Sequence, residues 1–217
     1  MSRQHGDVFI YFRVKAIRLS DGLFYFYNPN NTDSTMDYTI KSKKGDYVRV
    51  YLTLAGGHID LHPLHGKEEL HENMGACMIL ADHVFIIEML PILHANQEDL
   101  RKKLLPDVFA NKNPDIRING QLIGDIKTPR KNIPIKKSTI TTEIYNAAKQ
   151  KADIAILNLY GRDYSVQDIK KGIVGALQPD RNRSILIVWV ITKNRNLFTI
   201  TRQWVFNDSI YEKLAHL

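Results

Sequence analysis

At 217 residues and 44% hydrophobic side chains, the chain can bury an ordinary core as one domain, or as one domain carrying an extension. A single cysteine, Cys77, excludes an intramolecular disulfide and a cysteine-cluster zinc site, and implies a reducing folding environment. The formal charge of +7 suits a polyanionic partner; with no apolar run of membrane-span length and no signal core behind residues 1–7, a soluble cytoplasmic protein is expected, or one delivered into a target cell by another protein.

Apolar and aromatic runs at 9–19 and 23–27 flank Ser20-Asp21-Gly22 and predict a hairpin. Residues 28–34, with Pro29, predict a loop, and 38–41 and 47–54 predict two strands around Lys43-Lys44-Gly45-Asp46. The aromatic run Phe24-Tyr25-Phe26-Tyr27 could stack bases, although such residues in a strand more often pack a core. Gly56-Gly57 marks a break, after which His58, His62, His65 and His71 follow closely. Their spacing matches neither His-Glu-x-x-His nor a Cys-His finger, so His62 and His65 are expected to flank a groove or cap the next helix, with one of them able to assist proton transfer.

Leu70, Met74, Cys77, Met78 and Ala81 recur at spacings of three and four and predict a helix over 67–81. Glu72 stacks with Ala76 and Ile79, which aims this carboxylate at the buried side, where an acid needs a partner or a metal. A strand over 84–90 and a short helix or loop over 97–105 come next.

In the stretch 113–129, Ile116, Ile118, Leu122 and Ile126 alternate with polar residues around Asn119-Gly120, a strong hairpin signal. Asp115 opens the first strand, while Asp125 and Lys127 stand two apart on one face of the second. Two acids and an amine can then converge, as cleavage of a phosphodiester through a carboxylate-held divalent cation requires. The plain alternative is a turn followed by a solvated strand face. Lys127, Arg130, Lys131, Lys136 and Lys137 follow with no acid before Glu143, a segment placed to hold phosphates or simply to be a solvated loop.

Residues 138–151 predict a helix with Ser138 or Thr139 as cap, 152–159 a strand buried on both faces, 165–177 a helix capped by Ser165, 185–192 another apolar strand and 198–206 a final one. This order predicts an α/β (α+β) fold with a three-layer core and a central mixed sheet. A β-rich N-terminal extension or subdomain over 1–64 would precede the main domain, 65–217.

Glu72 on a helix, Pro114-Asp115, and Asp125-Ile126-Lys127, in that order, resemble the PD-(D/E)xK nuclease superfamily. Within it the likeness is to the tRNA-cleaving C-terminal domains of contact-dependent growth inhibition toxins and to similar domains on phage head-associated proteins. It is carried also by Glu72-Asn73 leading to Ile79-Leu80-Ala81, by Lys112-Asn113, and by the run 152–159, and it spans 67–191. The resemblance implies a restriction-endonuclease-like core and a magnesium or manganese ion held by Glu72, Asp115 and Asp125. Lys127 would orient water or steady the phosphate, Thr128 would help hold it, and Arg130, Lys131, Lys136 and Lys137 would track the backbone. It further implies tRNA as first substrate and DNA as second, and a small, acidic immunity partner. Gly124 departs from the bulky apolar residue usual before the second acid, which predicts a bend or bulge there. Two competing expectations are a non-catalytic nucleic-acid or protein-binding module of a phage or mobile element, and a metal-independent ribonuclease built on the histidines.

Overall fold

A computed structural model describes residues 46–207 and 209–213, together with the backbone of two short strands, β1 (Lys15–Arg18) and β2 (Phe24–Tyr27). These two pair antiparallel, with Lys15 opposite Tyr27 and Arg18 opposite Phe24, as expected of the two apolar runs. The loop expected at 28–34, the strand at 38–41, and the aromatic side chains of β2 lie outside the described residues.

Eight strands form one mixed sheet in the order β10-β9-β8-β7-β6-β5-β4-β3. They are β3 (Val48–Leu52), β4 (His58–Leu61), β5 (Ile86–Met89), β6 (Ile116–Ile118), β7 (Leu122–Lys127), β8 (Ile154–Asn158), β9 (Ile187–Ile191) and β10 (Leu197–Thr201). Three neighbouring pairs are parallel, β4 with β5, β7 with β8 and β8 with β9. Each is joined through a helix, because a parallel connection must cross back over the sheet. These are α1 (Leu70–Asp82), α3 (Lys137–Lys149) and α4 (Val166–Ala176), while α2 (Glu98–Leu104) precedes β6 and α5 (Arg202–Phe206) and α6 (Ile210–Lys213) follow β10. Strands β3 and β4 pair into this same sheet, so the division expected after residue 64 runs through it rather than between two sheets.

Alternation along the strands creates two cores. Ile116, Ile118, Ile126, Ile154 and Ile156 pack with Ala76, Cys77 and Leu80 of α1 on one face. Ile123, Ala155 and Leu157 pack with Ile140 and Ile144 of α3 and Ile169 and Ile173 of α4 on the other. Every residue of β8 is buried, which explains its continuous apolar sequence. Each such Ile or Leu contributes about 1.5–3 kcal/mol through burial.

Helix α3 starts two residues earlier than a Ser138 cap would place it: Lys136 is the N-cap, and the Thr139 hydroxyl accepts its N–H at 3.3 Å. Ser165 caps α4 as expected, its hydroxyl accepting the Asp168 N–H. The strand expected over 198–206 stops at Thr201, because Arg202 turns inward and donates to the carbonyls of Ile185 at 2.7 Å and Leu177 at 3.1 Å. No bulge forms at Gly124, whose pairing with Ile116 and Ile154 is in register. A Cβ there would meet Ile116 Cγ1 and Ile156 Cδ1 at 3.0 Å and Ile118 Cδ1 at 3.1 Å; three isoleucines already fill the space. No helix among the described residues is long and apolar enough to cross a membrane.

Candidate active site

The β6–β7 hairpin turns at Asn119-Gly120, both with positive φ, the geometry for which Asn-Gly is suited. The Asn119 side chain also accepts the Ile86 N–H at 2.9 Å, which ties the turn to β5. At the other end of the hairpin, the entry to β6 meets the exit of β7. There Asp115 Oδ2 accepts the Ile126 N–H at 2.6 Å, so the first acid is held against the backbone of the strand that carries the second.

Asp125 and Lys127 share the face of β7 that the period of two assigns them. Lys127 Nζ lies 2.8 Å from Asp125 Oδ2. Apart from this ion pair, Oδ2 is buried with no further hydrogen-bond partner among the described residues. Burial, then the adjacent Asp115 charge, push the Asp125 carboxyl well above the usual carboxylate range, with Lys127 opposing. Burial disfavours the Lys127 ammonium, but Asp125 and then Asp115 outweigh it and raise its pKa.

A cavity of about 390 Å³ opens beside this pair, lined by Glu69, Glu72 and Asn73 of the α1 end, Ile126 to Thr128 of β7, and a polar stripe of α3. That stripe, Glu143, Asn146, Lys149 and Gln150, flanks the apolar Ile140, Ile144 and Ala147.

Glu72 is exposed and borders the cavity; it does not face the buried side. Its neighbour Asn73 is the buried residue of that turn, because it is the one that reaches the acids, its Nδ2 donating to Asp115 Oδ1 at 3.1 Å. Among the described residues no three His, Cys, Asp or Glu side chains gather as a metal-holding group, so Glu72 is not brought onto Asp115 and Asp125. The two aspartates nonetheless offer buried hard oxygen donors, which is the donor chemistry magnesium or manganese takes.

His62 and His65 neither line the cavity nor cap α1; both are buried. His62 packs edge-on to Tyr47 at 5.0 Å, and its burial lowers its pKa. His65 Nδ1 donates to the Leu90 carbonyl at 2.7 Å, which leaves Nε2 as an acceptor 3.4 Å from Asn73 Nδ2. A chain from Leu90 through His65 and Asn73 thus holds Asp115, a positioning role in place of the expected proton transfer. Thr128 lines the cavity, whereas Arg130, Lys131, Lys136 and Lys137 are exposed on the segment beyond it and line no part of it.

The loop before Asp115 is fixed by buried Arg101, which donates to the carbonyls of Leu93 at 2.9 Å and Lys112 at 2.6 Å and to Asn113 Oδ1 at 3.0 Å. The Asn113 N–H in turn donates to Gln150 Oε1 at 3.2 Å, joining this loop to the cavity wall. Sequence reading missed Asn73, Glu69, Lys149 and Arg101. The polar positions 143, 146 and 150, spaced by three and four, were the available signal for the α3 wall.

The class so defined is an α/β protein whose sheet holds two adjoining buried aspartates behind a lysine that lines a polar cavity between helices. Residues 112–197 match the family model of the contact-dependent growth inhibition CdiA C-terminal domain, a stretch that holds Asp115, Asp125, Lys127 and Thr128 but not α1. No curated protein matches the chain. Among solved structures it is similar to the CdiA-CT/CdiI toxin and immunity complex from Burkholderia pseudomallei, at 23% identity and a TM-score of 0.44, covering 62% of this chain and 85% of that one.

Proposed function

We propose that this chain is a metal-dependent nuclease of the PD-(D/E)xK type, a toxin-type endonuclease that hydrolyses phosphodiester bonds in tRNA or other RNA, with DNA as second substrate. The observation that carries the reading is the Asp115–Asp125–Lys127 cluster, two buried acids behind a lysine that lines a polar cavity. Asp115 and Asp125 would hold magnesium or manganese, with Glu72, on the cavity wall, as a further carboxylate. Such an ion, when bound, supplies a Lewis acid for a phosphoryl oxygen and lowers the pKa of bound water.

The chain's own residues do the rest. Lys127 keeps its proton beside the two acids and donates toward the phosphate or an attacking water. Thr128 holds a phosphoryl oxygen, and Arg130, Lys131, Lys136 and Lys137 track the flanking backbone from outside the cavity. The family match over 112–197 supports action as a toxin inside a target cell after delivery by another protein. A small immunity protein, acidic where it meets the basic segment, would then protect the producer.

The test is cleavage of total tRNA and of plasmid DNA by purified protein with magnesium, with EDTA and with the Asp125→Ala variant. Metal-dependent cutting that is lost in the variant is expected. Tight nucleic-acid binding without cutting would replace the nuclease reading with the binding-module one, and cutting that survives EDTA would overturn metal dependence.

A further inference from the structure

We infer that Asn158 is a positioning residue that turns the Thr128 O–H away from itself, so that the hydroxyl donates to a non-bridging phosphoryl oxygen in the cavity. The inference rests on the phosphodiester reading above. Asn158 ends β8, beside the exit of β7 where Thr128 stands, and only 9% of it is exposed. Its Nδ2 donates to Thr128 Oγ1 at 3.1 Å. The direction is fixed from the far side of the amide: the Tyr160 backbone N–H faces Asn158 Oδ1 at 3.4 Å. A backbone N–H can only donate, so the oxygen must lie there and the NH₂ must turn to Thr128.

A threonine hydroxyl both donates and accepts, and its rotor ordinarily suits whatever group arrives. Here Asn158 takes one of the two lone pairs, so the hydrogen cannot point toward its amide, and among the described residues no acceptor takes the Thr128 O–H. Thr128 lines the cavity next to Lys127, so that free hydrogen is available to a ligand there. Beside Lys127, which can only donate, the hydroxyl turned away from Asn158 gives the cavity a second donor. Two such donors suit an anionic oxygen that can only accept.

The experiment is a double-mutant cycle on affinity for a short fluorescent RNA in calcium, read by anisotropy, with kcat and KM for cleavage measured in magnesium. Asn158→Asp puts an acceptor against Thr128 and draws its O–H inward; Thr128→Val removes the hydroxyl. Each single variant is expected to lose at least about tenfold in affinity, the scale of one hydrogen bond to a charged oxygen. Thr128→Ser is expected to stay near the parent, and Asn158→Asp to cost nothing more once Thr128 is Val. A cost from Asn158→Asp that persists in the Thr128→Val background would be charge repulsion alone and would overturn the inference, as would parental binding by either single variant. Thermal melts confirm that the variants fold. Because binding is read without turnover, parental protein that binds but never cuts would defeat the nuclease reading while still deciding this one.

Discussion

Asp125 is the residue at which stability and function pull apart. Burial, then the Asp115 charge, raise its carboxyl pKa well above the ordinary value of 3.8 that it has in the unfolded chain. A folded-state pKa above the unfolded one contributes stability that is fully present below pH 3.8 and is lost as pH rises through the elevated value. The metal-free protein is therefore expected to lose this contribution progressively as pH rises above 3.8, and added magnesium to restore melting temperature increasingly over the same rise. Asn at this position is isosteric and uncharged. Asp125→Asn should raise the metal-free melting temperature at pH 7 by a few degrees, about 1 kcal/mol, while abolishing cleavage. A melting temperature below the parent's would show that pairing with Lys127 outweighs the buried charge.

At the scale of elements, period and turn chemistry made most of the architecture legible. Asn119-Gly120 between alternating isoleucines specifies the hairpin, and the apolar run at 152–159 specifies a strand covered on both faces. The same periodicity put Asp125 and Lys127 together, because side chains two apart on a strand must share a face. It failed for Glu72. On a helix one residue is a rotation of about 100°, and the side chain that reaches Asp115 is Asn73. What distinguishes the two is the position of β6 against α1, a tertiary fact no local pattern carries. Gly124 was misread for a related reason: glycine in a strand signals a bulge or a close approach, and only the isoleucines on β6 and β8 decide between them. Gly124→Val should consequently cost about 1–3 kcal/mol in urea unfolding through overpacking, and Ile156→Val should recover part of that loss. Full additivity of the two changes would mean that the isoleucines do not set the constraint.

Across the whole molecule, the excess of positive charge is not spread over the cavity. Its walls carry Glu69, Glu72 and Glu143 against Lys127 and Lys149, while Arg130, Lys131, Lys136 and Lys137 stand exposed on the segment leading into α3. Acidic walls suit cation binding and would by themselves repel a polyanion; the neighbouring basic segment offsets that repulsion without touching the reacting atoms. Affinity and chemistry should then separate under mutation. Replacing Arg130, Lys131, Lys136 and Lys137 together by Gln is expected to flatten the plot of log affinity against log salt by up to about 3 for single-stranded RNA, from about 0.7 per phosphate contact. KM should rise with it, and kcat at saturating substrate should stay within about twofold, since those side chains supply binding common to ground and transition states. A collapse of kcat with an unchanged salt slope would put these cations at the scissile phosphate instead, and would mean that the segment closes over the cavity when substrate binds.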